Sequence, residues 1–131
     1  MKVIAFDPGR TTGFVKMKFY GHNEPVIEQA GEIGFDNLTD KALRKLCECC
    51  DFFVMEDAVL TGTLNQDKVR QIQAIERLSF FWSTNGNTGV NWVQPEAKKL
   101  VKTKDVPKNI NSKHAKDAYK ILKAWVLKEE V

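Results

Sequence analysis

One stretch in the last quarter of the chain decides how the fold is interpreted: KHAKDAYKILKAW, residues 113–125. At about 100° per residue, this stretch predicts a helix whose apolar stripe contains His114, Asp117, Ala118, Ile121 and Trp125. A carboxylate and an imidazole therefore share the apolar stripe, while the lysines take the opposite face. Because burying an unpaired carboxylate is costly, we expect Asp117 to have a compensating charge or hydrogen-bond donor nearby.

Two further carboxylates stand where apolar runs end. Asp7 follows the run Val3–Phe6, and Glu56 follows the run Phe52–Met55. Both runs are continuous rather than alternating, which is typical of strands buried on both faces. Acids at the ends of two buried strands and on one helix indicate a divalent-metal site. Phosphodiester hydrolysis uses such a site, because two Mg²⁺ ions about 4 Å apart stabilise the attacking and leaving oxygens.

The order of the remaining elements indicates a single α/β domain spanning residues 1–131. The predicted strands cover residues 1–7, 12–20, 26–33, 52–55 and 90–93. The predicted helices begin at Thr39 or Asp40, cover 66–82 and 96–104, and begin again at Ser112. An antiparallel meander followed by parallel strands in a five-stranded mixed sheet, flanked by helices, is the ribonuclease H-like topology.

Three segments carry a resemblance to RuvC-type Holliday junction resolvases. IAFDPGRTTGF at residues 4–14 resembles the opening of that family, VMED at 54–57 its second acidic strand, and HAKDA at 114–118 its C-terminal signature. The resemblance implies a ribonuclease H-like fold, Mg²⁺-dependent or Mn²⁺-dependent strand cleavage with two ions per active site, and a homodimer. It implies catalytic and metal-binding roles for the matching positions Asp7, Glu56, His114 and Asp117.

The sequence departs from that family at two points. The chain is short for a cellular RuvC, which suggests a trimmed relative of the kind that a phage encodes. After the second acid the family commonly has an aromatic residue that wedges into the junction, whereas this chain has Ala58-Val59-Leu60. We therefore expect branch recognition to differ from that of the cellular enzyme, although the expected partner is still branched double-stranded DNA.

Other functions stay open at this point. A nuclease of the same fold that acts on RNA, flaps or forks would use the same acids. A catalytically idle nucleic-acid-binding module would not need clustered carboxylates that repel phosphate. The pattern Asp-x-Gly-x-Thr at residues 7–11 also occurs in the phosphate loop of actin-like and sugar-kinase-like ATPases, but that fold needs two such domains, and 131 residues do not hold them.

The charge of the chain is unevenly distributed. The formal net charge is +3, but ten lysines face four acids from Lys98 onward, which gives that third about +6. This asymmetry favours a polyanionic partner. We assign DNA binding to Arg10, Lys98, Lys99, Lys102 and Lys104, and we expect Lys99 or Lys102 to act near the reacting phosphate.

The predicted long helix at residues 66–82 is the expected dimer seam. Apolar side chains recur along it at helical spacing: Val69, Ile72, Ile75 and Leu78. The aromatic residues Phe80, Phe81 and Trp82 close it, and we expect them to pack in the core and the dimer interface rather than to form a stacking platform for bases.

The cysteines and the apolar runs bear on the compartment. Cys47, Cys49 and Cys50 lack the spacing of a zinc site or a disulfide framework, so we expect helical thiols in a reducing environment. We see no signal-peptide core and no apolar run of the ~20 residues that span a bilayer. We therefore expect a cytoplasmic protein, in a bacterium or in the bacterial host of a phage, with no membrane partner.

Overall fold

The computed structural model describes residues 1–21, 23–57, 63–86 and 88–129. Its five strands form one sheet in the order β3-β2-β1-β4-β5, with β1 at Lys2–Asp7, β2 at Thr11–Lys18, β3 at Val26–Gly34, β4 at Phe52–Glu56 and β5 at Asn91–Val93. Strands β1, β2 and β3 are an antiparallel meander, whereas β4 and β5 run parallel to β1. The predicted mixed sheet is confirmed.

The helices are α1 (Asp40–Leu46), α2 (Gln66–Asn85), α3 (Pro95–Lys99) and α4 (Lys113–Glu129). Short polar side chains explain where three of them begin, because each accepts a hydrogen bond from an otherwise unpaired backbone N–H of the first turn. Thr39 caps α1, Asn65 caps α2, and Ser112 caps α4 through the N–H of Ala115. The predicted helix starts are therefore confirmed within one residue, and α3 begins at Pro95, one residue earlier than predicted.

The sheet carries a hydrophobic core on each face. Val3 and Ala5 of β1 point into the core formed with α4, whereas Ile4 and Phe6 point into the core formed with α1 and α2. All four of these side chains are fully buried. Helices on both faces therefore explain why β1 and β4 are apolar without alternation. Strand β3 lies at one edge of the sheet and is mostly exposed.

The predicted helix at residues 96–104 is wrong in its second half. Helix α3 ends at Lys99, and a separate 3₁₀ turn covers Thr103–Asp105. Two apolar side chains explain the break, since Val101 and Val106 both turn into the core beside α4. The lysines at 102 and 104 therefore do not continue the face of α3.

The cysteines do not lie on a helix, which corrects that prediction. Helix α1 ends at Leu46, and Cys49 has a φ of 61°, a left-handed conformation that cannot continue an α-helix. Cys47 is buried, Cys50 is half-buried and Cys49 is exposed, and all three thiols are free. Burial raises the pKa of the Cys47 thiol to about 12, so it is a core residue rather than a nucleophile.

Some expectations concern other parts of the chain. The stretch Ala58-Val59-Leu60, where the family has its aromatic wedge, lies outside the described residues. Of the helices that the structure describes, none combines the length and the apolar character needed to cross a bilayer.

The three aromatic residues at the end of α2 differ in burial. Phe81 and Trp82 are buried, as predicted, whereas Phe80 is 72% exposed.

Candidate active site

Two of the predicted acids end adjacent parallel strands. Strand β1 pairs with β4 through Phe6 and Met55, and each strand ends with the next residue, Asp7 or Glu56. Both side chains are largely shielded from solvent, with 18% and 17% of their surface exposed. The register therefore holds two carboxylates side by side at one edge of the sheet, where parallel strands of an α/β fold usually present functional groups.

Helix α4 brings His114 and Asp117 to the same edge because Gly13 lets it approach. A Cβ on Gly13 would lie 2.0 Å from the carbonyl oxygen of His114 and 2.8 Å from the backbone nitrogen of Ala115. Gly13 is also the residue that pairs with Asp7 across β1 and β2. The first turn of α4 therefore rests on the backbone of β2 directly beside Asp7.

The burial of the side chains on the predicted apolar stripe of α4 differs in part from the prediction. Ala118, Ile121 and Trp125 are buried as expected, but His114 and Asp117 are only half-buried at the margin of the apolar stripe. From there the Nδ1 atom of His114 lies 3.8 Å from Oδ2 of Asp7, which is beyond hydrogen-bond distance. The two side chains are close enough to share a ligand but do not bond to each other.

Asp7 has an unusually high pKa. Burial is the largest cause, the charges of Asp117 and Glu56 add to it, and Lys98 and His114 act in the opposite direction. Together they raise the pKa of Asp7 to about 6 from an ordinary value of 3.8. Asp117 and Glu56 are therefore near enough to oppose the ionisation of Asp7, and a carboxyl perturbed in this way is a feature of catalytic and metal-binding clusters.

Lys98 supplies a positive charge that partly balances the negative charge of these acids. It lies on α3, which begins directly after β5 at the same edge of the sheet, and its Nζ donates a hydrogen bond to Oε2 of Glu56 at 3.0 Å. Burial alone would lower the pKa of Lys98, but the charges of Asp7 and Glu56 outweigh burial and raise it. Lys98 is therefore held as an ammonium among the acids.

The donor set fits a divalent cation in its chemistry. Three carboxylates face one ammonium, so the cluster lacks positive charge even with Lys98 in place. Carboxylate oxygens are the ligands that Mg²⁺ prefers, and imidazole is also a common metal ligand. Across the described ranges, however, no three His, Cys, Asp or Glu side chains converge closely enough to hold one ion together. Glu56 instead bonds to Lys98.

A cleft of about 560 Å³, here called the Asp7 cleft, opens beside three of the four predicted site residues. Asp7, His114 and Asp117 line it, together with the turn at Pro8–Arg10, the first turns of α2 and Lys113. Arg10 is exposed on its wall, with Nη1 3.7 Å from Oδ1 of Asp67. The position of Arg10 agrees with a phosphate contact beside the acids.

Glu56 faces a second cleft of about 460 Å³, here called the lysine cleft. Lys98, Lys99, Lys102 and Lys120 line it with Glu56. Lys104, on the 3₁₀ turn, is exposed and is not among the lining residues. The structure thus gathers three of the four predicted lysines around Glu56, and it shows that Lys98, rather than Lys99 or Lys102, reaches a carboxylate.

Several residues at these clefts were not predicted from the sequence. Lys113 stands directly before His114 in the C-terminal motif, so its position carried a usable signal. Lys68 and Gln71 line the Asp7 cleft from α2, and only the tertiary packing of that helix places them there. Glu32 on β3 lines neither cleft but contacts the start of α4, and no sequence pattern marks it.

Comparison with known proteins bears on the fold. The chain matches no protein-family model, and it matches no curated protein sequence. Its structure is similar to RuvC of Thermus thermophilus in complex with a Holliday junction substrate, with a TM-score of 0.80 and 12% identity over 99% of this chain and 96% of that one. A second Thermus thermophilus RuvC structure gives a TM-score of 0.77 at 12% identity, with the same coverage.

A viral protein has the same architecture. The Fowlpox virus resolvase in complex with Holliday junction DNA gives a TM-score of 0.67 and 10% identity over 98% of this chain and 99% of that one. The similarity to these proteins covers 98–99% of this chain. At 10–12% sequence identity, it is evidence for a shared fold. The chain therefore has the ribonuclease H-like fold that RuvC-type resolvases share.

Proposed function

We propose that the protein is a RuvC-type endonuclease that resolves Holliday junctions and other branched DNA by symmetric strand nicking. The observation that carries the proposal is the cluster of Asp7, Glu56 and Asp117 at the sheet edge between two clefts with basic walls, where burial and the other two acids raise the pKa of Asp7. A protein that only bound DNA would gain nothing from acids that repel phosphate.

Asp7, Glu56, Asp117 and His114 are the proposed metal ligands and catalytic residues. Divalent cations, Mg²⁺ or Mn²⁺ with two ions per site, supply charge stabilisation at the attacking and leaving oxygens. Of the chain's own groups, Asp7 and Asp117 offer carboxylate oxygens to the Asp7 cleft, and His114 offers an imidazole nitrogen beside them. Glu56 contributes from the lysine cleft, where Lys98 bonds to its Oε2 atom and its second carboxylate oxygen is the proposed ligand.

The two clefts suggest how a DNA strand is held. Arg10 and Lys113 stand on the wall of the Asp7 cleft, and Lys99 and Lys102 stand on the wall of the lysine cleft, with the acids between them. Phosphates on either side of the scissile bond would therefore meet cations, while the scissile phosphate lies over Asp7. Lys98 lies near Asp7 and Glu56, and its proposed role is to neutralise charge at that phosphate.

The test is a cleavage assay on labelled substrates of matched sequence. Four-way junctions, replication forks, flaps and RNA–DNA hybrids are incubated with the protein and Mg²⁺, Mn²⁺ or Ca²⁺. We expect paired nicks in the junction with Mg²⁺ or Mn²⁺, and binding without cleavage by the Asp7→Asn variant. Preferential cutting of forks, flaps or hybrids would favour the related nuclease, and binding without cutting under every ion would favour an idle module.

A homodimer is part of the proposal, because one domain has one such site and symmetric nicking needs two. Helix α2 is the proposed seam, since Val69, Ile72 and Ile75 are only half-buried by their own chain. Leu78, which the sequence also assigned to the seam, is instead fully buried in the core. Phe80 adds an exposed aromatic side chain beside a groove where Arg70 and Arg77 stack on the ring of Phe35.

The dimer is tested by light scattering at micromolar concentration. Twice the chain mass is expected for the wild type, and the Phe80→Glu variant is expected to be a monomer. Leu127→Glu, at a similarly apolar exposed position on α4, serves as the control and should leave the mass unchanged. A wild-type monomer that makes only single nicks would contradict both the seam and the paired cutting. We also propose a cytoplasmic location, which the three free thiols support.

A further inference from the structure

The start of α4 lies on a line of three paired residues at the edge of the sheet. Gly13 on β2 pairs with Asp7 on one side and with Glu32 of β3 on the other. The backbone of His114 rests on Gly13, at a distance that leaves no room for a side chain there. The first turn of α4 is therefore flanked by a carboxylate from each neighbouring strand.

Glu32 bonds to this turn at two points. Its Oε1 accepts a hydrogen bond from the hydroxyl of Ser112 and a second from the backbone N–H of His114, at 3.3 Å. The hydroxyl of Ser112 in turn accepts from the N–H of Ala115 at 3.1 Å. A carboxylate is well suited to this place, because the unpaired N–H groups at the start of a helix favour negative charge. The bond from Ser112 lowers the pKa of Glu32, which keeps it ionised.

Capping of α4 does not by itself explain why Glu32 bonds to the first turn of that helix. Ser112 already caps α4 from within its own segment, so the helix would begin there without a carboxylate from β3. What Glu32 adds is a tie between that cap and the sheet, at the level of the strand pairs that also holds Asp7. Glu32 is not among the residues that line the Asp7 cleft, so any effect on the reaction passes through α4.

We propose that Glu32 is a positioning residue for the reaction: it fixes the first turn of α4 on the sheet edge, so that His114 and Asp117 are held beside Asp7. The proposal rests on the proposed nuclease function. An error of about 1 Å in the placement of such groups costs up to ~100-fold in rate, and a hydrogen bond to a charged group is a stiff restraint. The first turn of α4 is thus held by two contacts: its backbone rests on Gly13, and Glu32 on the neighbouring strand bonds to it.

The experiment compares three variants of the full chain. Glu32→Ala removes both bonds, and Glu32→Gln keeps an oxygen that accepts them. Glu28→Ala removes an exposed carboxylate from the same strand, where it pairs with Lys2 rather than with the first turn of α4. For each protein, kcat on a four-way junction is measured with Mg²⁺, junction affinity is measured with Ca²⁺, and amide hydrogen exchange is followed at residues 114–116.

We expect Glu32→Ala to lower kcat about tenfold, to change junction affinity less than about twofold, and to speed exchange at residues 114–116 about tenfold. Glu32→Gln should recover most of each loss, and Glu28→Ala should behave as the wild type. A Glu32→Ala variant with wild-type kcat and exchange, or an equal loss in Glu28→Ala, would overturn the proposal. Wild-type protein that cuts no branched substrate would instead overturn the proposed function, while exchange would still report on the Glu32 contact.

Discussion

Replacing Asp7 by asparagine should make the folded protein more stable while it abolishes cleavage. Burial and the neighbouring acids raise the pKa of Asp7 from 3.8 to about 6. The folded state therefore binds this proton more tightly than the unfolded state does, and acid pH favours folding. As pH rises from about 4 to 6, this advantage is lost, and above pH 6 the ionised group opposes folding by about 3 kcal/mol.

Asparagine removes that cost without changing the size of the side chain. In EDTA at pH 8, we expect Asp7→Asn to raise the free energy of unfolding by up to about 3 kcal/mol, and near pH 4 we expect the two proteins to be equal. Urea denaturation at both pH values measures the difference. Asp36→Asn, an exposed acid on the turn before α1, is the control and should change stability by less than about 0.5 kcal/mol.

The assay has a clear refuting result. If Asp7→Asn is no more stable than the wild type at pH 8, or if the difference is the same at pH 4, then burial and like charge do not govern this carboxyl. Added Mg²⁺ should stabilise the wild type at pH 8 and should stabilise the variant much less, since a ligand that binds only the folded state raises its stability. Cleavage by the variant at the wild-type rate would remove Asp7 from the site.

Three further predictions follow from the same geometry. Lys98→Met should slow cleavage at least tenfold and should destabilise the protein at pH 8 more than at pH 5, because the Lys98 charge lowers the pKa of Asp7. Lys108→Met, at an exposed lysine that lines neither cleft, should do neither. Gly13→Ala should lower the free energy of unfolding, measured by urea denaturation, by about 3 kcal/mol and should remove most of the activity, because its Cβ meets the backbone of α4. Gly34→Ala, whose Cβ has open space around it, should change both quantities little. In the cleavage assay, His114→Asp should keep activity if the imidazole is a ligand and should lose it if the imidazole transfers a proton; His114→Ala should lose less than Asp7→Asn.

The placement of the strands and of the acids that end them could be predicted because it depends on local patterns. A continuous apolar run that ends in an acid predicts both the buried strand and the carboxylate at its end, and Asp7 and Glu56 follow that rule. The β-α-β order then requires the two ends to meet at one edge. The helical position of Asp117 follows in the same way from the period of α4.

The sequence did not predict which lysine meets the acids. On a continuous helix from 96 to 104, residues 98, 99 and 102 would share a face, and nothing in the periodicity separates them. Helix α3 ends at Lys99, and Val101 turns into the core, so Lys102 lies outside the helix; of the three lysines, Lys98 is the one that reaches Glu56. Long-range packing therefore overrides the local pattern here.

Glu32 could not be predicted for a related reason. Its partner on β2 is set by the register of an antiparallel pair that contains an irregularity between Lys16 and Met17. An extra residue in a strand shifts every later pair, so the turn sequence alone does not say which β3 residue lies beside Gly13. Only the assembled sheet shows that Glu32 stands at the level of Asp7 and beside the start of α4.

The packing around Asp7 keeps its carboxyl in an environment that opposes ionisation. A carboxyl that opposes folding by about 3 kcal/mol would move into solvent if its backbone could yield. Asp7 cannot move in this way, because β1 is central in the sheet and its side chains fill both cores, and α4 is fixed above Gly13 by backbone contact. The two cores therefore hold Asp7 in an environment that is unfavourable for its carboxylate, and the proposed divalent cation would offset that cost by neutralising the charge.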